Sequence, residues 1–146
     1  LFELVIDPVE FEVRTHQDED IPFIFATWLK SYKKESYFAK RIKNTIFYKW
    51  HHKIIESIIS RSRISIAHMK DNPDIILAYA IYETGMDGPV VHYIFVKPEF
   101  RQLGIAKQMI SNLKISLDNC TFTHWTYPVD ELIKKLPNMT YDPYRI

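Results

Sequence analysis

The chain has 146 residues, a formal net charge of +1 and 47% hydrophobic side chains, which describes one globular domain, residues 1–146, with a core of ordinary size. A single cysteine, Cys120, excludes an internal disulfide framework and fits a reducing, cytoplasmic setting. No basic-then-apolar leader opens the chain, and the longest apolar run, residues 75–82, has the length of a buried strand, so no membrane partner is expected.

Residues 1–6 are apolar enough to add an extra strand or pack as a tail, until Asp7-Pro8 interrupts them. Residues 11–14 alternate and predict the first strand of the main sheet. Asp18 or Asp20 can cap a helix over residues 21–32, with Pro22 in its first turn and Ile21, Ile24, Phe25, Trp28 and Leu29 on one face. A second helix over residues 45–60 turns Phe47, Trp50, Ile54, Ile55, Ile58 and Ile59 inward. Strands follow at residues 63–69 and 75–83, separated by the turn Asp71-Asn72-Pro73-Asp74. Gly85-Met86-Asp87-Gly88 is a hairpin turn into the most apolar strand, residues 90–96, whose β-branched and aromatic run suits burial on both faces. Pro98 ends that strand. A helix then runs from Gly104 to Leu117, with Ile105, Met109, Leu113 and Leu117 at helical spacing. The remainder reads as a strand over residues 121–127, a short helix over residues 129–136 and a last strand or extended segment over residues 139–146.

The chemistry-bearing stretch is the loop Arg101-Gln102-Leu103-Gly104-Ile105-Ala106, set between the apolar strand and its helix. Such a connection aims free N–H groups outward and makes an anion site. The third glycine of the dinucleotide fingerprint is missing, and so is the Gly-Lys-Ser/Thr ending of a P-loop. The loop does fit Arg/Gln-x-x-Gly-x-Gly/Ala. Preceded by Tyr-Ile-Phe-Val-Lys-Pro and followed by an apolar-striped helix, it resembles the pyrophosphate loop of the GNAT superfamily of N-acetyltransferases, and the likeness spans roughly residues 11–127. The Trp-Leu-Lys-Ser-Tyr and Tyr-Asp-Pro-Tyr stretches are similar to those of GNAT-like chains of tailed bacteriophages.

The resemblance implies a mixed α/β fold: a central, mostly antiparallel sheet with a splayed parallel pair, flanked by helices. It implies acetyl-CoA as cofactor, with pantetheine along the main chain of Ile94, Phe95 and Val96 and the pyrophosphate at Arg101, Gln102, Leu103, Gly104, Ile105, Ala106 and Lys107. The activity implied is direct transfer of acetyl to an amine borne by a small molecule or a protein. The alternative is a catalytically weak GNAT-like module that grips a partner protein. A homodimer is left open.

Where some members carry an early glutamate in the central strand, this chain has Val90. His92, on the same strand face by alternation, is the substitute base, with Glu83 across the hairpin next and a half-buried packing histidine as the bland alternative. The late tyrosine of many members falls near Ile133, so Tyr127 and Tyr141 stand in as proton donors or as packing aromatics. Cys120 reads as a small core residue. His51 and His52 point apart on a helix, and no other ligand spacing suggests a metal. Between Lys30 and Lys53, eight basic residues face one acid, Glu35. Solvated helix faces are the first reading, an acidic substrate or partner the second; nucleic acid has no motif behind it.

Overall fold

The computed structural model describes residues 10–101 and 104–146. The expected strand or tail over residues 1–6 and the loop residues Gln102 and Leu103 lie outside the described residues. Strands β1 (Phe11–Thr15), β2 (Arg63–Met69), β3 (Asn72–Gly85), β4 (Gly88–Val96), β5 (Thr121–Phe122) and β6 (Thr140–Tyr141) form one sheet in sequential order. The first four pair antiparallel, and β4–β5 and β5–β6 pair parallel. Helices α1 (Ile21–Glu35) and α2 (Asn44–Arg61) cover one face, where Ile24, Trp28, Phe47, Ile55 and Ile58 meet Ile66, Tyr79, Tyr93 and Phe95. The opposite face carries α3 (Ile105–Asn112), whose Ile105, Met109 and Ile110 lie on Ala67, Leu77, Ala78 and Ala80. Alanines on that face keep the sheet surface low, so a short helix can approach closely. A fourth helix, α4 (Tyr127–Lys135), joins β5 to β6.

Several expected boundaries move, each for a local reason. The helix expected to reach Leu117 stops at Asn112, because the Leu113 N–H is shared by the Met109 and Ile110 carbonyls and Lys114 takes a left-handed φ of 56°. The strand expected over residues 121–127 keeps two residues: Thr123 donates to the Val91 carbonyl at 3.3 Å, and the chain then leaves the sheet for the Thr126 N-cap of α4. Trp50 points out of α2, 55% exposed with the Lys53 and Lys49 ammonium groups 4.8 and 5.3 Å from its ring centre. The inward stripe is Phe47, His51, Ile55 and Ile58, so His51 takes the position expected of its neighbour. Lys33 is not a solvated charge, since its ammonium donates to the Ala39, Lys40 and Ile42 carbonyls and closes the α1–α2 linker.

Polar ties fix α1 in place. Thr27 and Ser31 hydroxyls meet the phenols of Tyr79 and Tyr93 at 2.7 and 2.6 Å. At the N-terminus, Arg14 of β1 donates to both Asp20 oxygens at 2.7 and 3.0 Å, and the Gln17 N–H donates to the same carboxylate at 2.7 Å. The hydrogen bond from Arg14 is the main reason that the Asp20 carboxyl titrates below its usual range. Its stabilisation is therefore present above the unfolded pKa, near 4, and is lost as pH falls through the folded value. Asp20→Ala should cost about 2 kcal/mol at pH 7, read from urea midpoints, with the gap to wild type narrowing below pH ~4; a gap that stays constant with pH would show that the pair contributes nothing.

Candidate active site

β4 and β5 are paired only at Val90↔Thr121 and Val91↔Phe122, with the Thr123-to-Val91 bond as the last tie. Beyond it the two chains part. The Lys97 N–H donates to Leu77 of β3 at 2.9 Å. By the alternation of an antiparallel ladder, the Phe95 main chain also faces β3, opposite Tyr79, while Ile94 and Val96 turn their main-chain groups to the opening. Of the three residues expected to offer main-chain groups there, Ile94 and Val96 do so and Phe95 is held in the ladder. The Val96 carbonyl accepts from Arg101 Nε at 3.1 Å, and Arg101 Nη2 donates to Glu35 at the end of α1 at 2.8 Å. Arg101 is thus turned into the protein.

Past Arg101 the chain enters α3 through Gly104, whose φ of +78° is the left-handed region that favours glycine. Among the described residues nothing lies within 4 Å of where its Cβ would stand, so the constraint is the backbone angle. The first intrahelical bond runs from the Gln108 N–H to the Gly104 carbonyl. The N–H groups of Ile105, Ala106 and Lys107 precede it and have no acceptor within the helix. Ile105 is buried and roots the turn, Ala106 is half-buried and Lys107 is exposed. An anion meeting this turn finds a small-residue surface and a favourable dipole.

His92 sits in a β-bulge, where Ile81 opposes Tyr93 and Tyr82 opposes Val91. The bulge brings His92 and Glu83 together, with Nε2 and Oε2 2.6 Å apart, and Arg61 Nε donates to the same oxygen at 3.2 Å. Burial lowers the His92 pKa although Glu83 pulls the other way. Burial would raise Glu83, but the His92 hydrogen bond and the His92 and Arg61 charges hold it below its usual range. Tyr127 belongs to a different neighbourhood at the start of α4, where Lys40 donates to its phenol at 3.5 Å and Tyr37 meets its ring edge-on. Tyr141 packs against Phe122 and Trp125. Cys120 is 1% exposed and burial pushes its thiol up to about 11, which leaves it a packing residue. Among the described residues no His, Cys, Asp or Glu group is arranged to hold a metal, and no helix is long and apolar enough to cross a membrane.

Sequence reasoning missed the residues beyond His92. Its Nδ1 lies 2.9 Å from Thr123 Oγ1, which lies 2.9 Å from His124 Nδ1, whose Nε2 is 2.9 Å from His51 Nε2. His124 packs against the Trp28, Tyr32 and Tyr93 rings, and His51 stacks on Tyr32. The available signal was polar side chains, Thr123 and His124, inside a stretch otherwise read as buried strand. Burial holds His51 at about 4, and it lowers His124 well below the ordinary range. His51, His92 and His124 thus have folded pKa values under the unfolded ~6.5. Between that value and about 4 the unfolded chain takes up protons that the folded one refuses. Stability should be full above pH 6.5 and fall on acidification by about 1.4 kcal/mol per pH unit for each histidine. His51→Phe should flatten that slope in urea titrations; an equal slope in both proteins would mean that His51 is not buried neutral.

No protein-family model matches the sequence, and no curated protein matches it. Solved structures do. YycN of Bacillus subtilis, a candidate acetyltransferase, superposes with a TM-score of 0.66 at 12% identity, covering 87% of this chain and 90% of its own. A candidate acetyltransferase from Clostridium difficile 630 gives 0.56 at 15% identity over 93% and 94%. A GNAT family acetyltransferase from Brucella melitensis, solved with acetyl-CoA, gives 0.55 at 9% identity over 84% and 81%. At such identities the likeness is one of architecture: a six-stranded mixed sheet between helices, parted after its fourth strand, is the GNAT fold.

Proposed function

We propose that this chain is an acetyl-CoA-dependent N-acetyltransferase that passes acetyl directly to an amine on a small molecule or a protein. The observation that carries this reading is a main-chain track. Ile94 and Val96 of β4 face an opening that β5 has left, and α3 begins with the N–H groups of Ile105, Ala106 and Lys107, which have no acceptor within the helix. Such a track accepts an extended amide-bearing chain at one end and a diphosphate at the other without a metal. The acetyl-CoA in the Brucella melitensis relative of this fold supports the assignment. Hydrogen bonds from N–H groups to a charged acceptor are worth roughly 1.5–3 kcal/mol each, against about 0.3–1 for the helix dipole. The amides therefore dominate. Lys107, exposed on the first turn, adds a cation beside them.

Bound acetyl-CoA supplies a thioester whose acyl carbon an amine can attack. The chain's own residues then manage protons. His92, held by Glu83, is the base through which the amine proton passes to the carboxylate, and the N–H groups of Ile94 and Val96 can meet negative charge developing on the acyl oxygen. Tyr127, beside Lys40 at the start of α4, is the hydroxyl available to return a proton to sulfur. The buried Cys120 suits a reducing cytoplasm.

Calorimetric titration with acetyl-CoA tests the reading. Wild type should bind, and Gly104→Glu should bind at least about 10-fold more weakly, some 1.4 kcal/mol, because it sets a carboxylate before the free amides and strains a left-handed residue. Heat-free titration of wild type, with an unmoved melting temperature, would end the enzyme reading. His92→Ala should slow the release of free CoA about 100-fold while leaving that affinity in place; unchanged turnover would remove His92 from the mechanism.

A further inference from the structure

The side chains beyond His92 have a second consequence, which rests on the N-acetyltransferase reading. We propose that His51, His124, Thr123, His92 and Glu83 form one proton-conducting chain that carries the proton lost by the acceptor amine to solvent beside Arg61. Four contacts of 2.9, 2.9, 2.9 and 2.6 Å link them without a gap. The four inner members are between 1% and 5% exposed, while Glu83 opens on a cavity of about 400 Å³ lined by Arg61, Thr84, Gly85, Tyr144 and Arg145. The path passes the foot of the opening, since Thr123 is the last residue tied to β4 and His124 the first beyond it.

The chain has only one self-consistent polarity. An ionised carboxylate only accepts, so His92 donates from Nε2 and its bare Nδ1 must accept. The Thr123 hydroxyl therefore gives its proton to His92 and takes a hydrogen bond from His124 Nδ1–H. With Nδ1 protonated, the neutral His124 has a bare Nε2, and His51 Nε2–H must donate to it. Every proton points toward Glu83. When His51 Nδ1 takes up a proton, each link hands on the one it holds: Nε2 of His51 to Nε2 of His124, Nδ1 of His124 to Thr123, Thr123 to Nδ1 of His92, and Nε2 of His92 to Glu83. One proton enters and one leaves through Glu83 to water. A proton passing back from Glu83 restores the starting orientation and releases one from His51 Nδ1, so over a turnover the chain lends the amine proton to solvent and returns one to the acceptor side for the departing thiolate. No member holds a lasting charge, which suits a segment where burial disfavours imidazolium.

The charged and titratable groups facing the chain are Arg61 of α2, Arg145 near the C-terminus, Tyr32 of α1 and Tyr93 of β4. The two tyrosines are raised by burial, Tyr32 to about 12 and Tyr93 beyond that, so neither exchanges protons with the chain near neutrality. The His92 hydrogen bond, with the His92 and Arg61 charges after it, holds the exit carboxyl below its usual range between turnovers.

Two measurements on the full chain test the proposal. Imidazole ¹⁵N NMR at pH 7 should find His124 as the Nδ1–H tautomer, with His92 and His51 as Nε2–H. Glu83→Gln should move the His124 and His51 signals, and in a Thr123→Val background the same change should stop at His92. His124 as the Nε2–H tautomer, or unmoved by Glu83→Gln, would overturn the chain. If Thr123→Val does not fold, Thr123→Ser, which keeps the hydroxyl, should retain the long-range response, and its loss there would also overturn it. Turnover is read as free CoA released with n-butylamine, spermidine and a lysine-containing peptide. Thr123→Val should lower kcat about 100-fold at pH 7 with an unchanged KM for acetyl-CoA, and Thr123→Ser should recover it. The deficit should close near pH 10, where the ammonium deprotonates unaided. A deficit equal at every pH would overturn the conducting role. Wild type that shows the expected tautomers yet acetylates none of the three amines would instead overturn the N-acetyltransferase reading, and with it the amine as proton source.

Discussion

The parting of β4 from β5 after Val91 is the constraint on which the rest of the molecule depends. A strand interior to a sheet normally has both main-chain edges satisfied, and groups left facing an apolar interior are costly. Here one edge is released over Ile94 and Val96, and the surroundings are built to tolerate it. Rings hold the two strands apart at the foot: Trp28 stacks on Tyr93 at 4.9 Å, and His124 meets the edges or faces of Trp28, Tyr32 and Tyr93. The hydroxyls of Ser31 and Thr27 fix the helix that carries those rings. Separation of the strands is thus set by packing on the α1 face, whereas the Ile94 and Val96 main-chain groups lie along the edge that the packing exposes.

A polar thread through a core is tolerable only when each atom in it is matched. His92, Thr123, His124 and His51 meet that condition pairwise among themselves, and Glu83 with Arg61 ends the thread at the surface. Such an arrangement is brittle in one respect. Loss of any middle member strands two others, so the region specifies one packing. The β-bulge at His92 is part of the same solution, because only the extra residue lets a side chain between Val91 and Tyr93 reach both Glu83 and Thr123.

Strand and helix order was largely legible in the sequence because periodicity reports burial, and burial is mostly decided by one sheet with helices on both faces. The loop around Gly104 was legible for a different reason: a left-handed angle ahead of a helix restricts residue type enough to leave a motif. The misses share a cause. Trp50 and His51 are neighbours on α2, and hydrophobicity alone assigns the tryptophan inward; the histidine wins because His124 waits across the interface. The end of α3 and the brevity of β5 depend on carbonyls and strands distant in sequence. His92 with Glu83 could be paired by counting across a hairpin, but Thr123, His124 and His51 join them only through tertiary approach. Arg101, which the motif places at the pyrophosphate, bonds Glu35, an acid at the far end of another helix.

That last contact links two parts of the molecule usually considered separately. The Arg101 guanidinium occupies the Val96 carbonyl with one nitrogen while another holds the final turn of α1. Any extended guest that reaches as far as Val96 competes for that carbonyl, and must either stop short of it or draw Arg101 away from its second hold. Occupancy of the cleft and slackening of the α1 terminus are then two faces of one equilibrium. A molecule bound among the strands would be felt where α1 gives way to the linker that follows it.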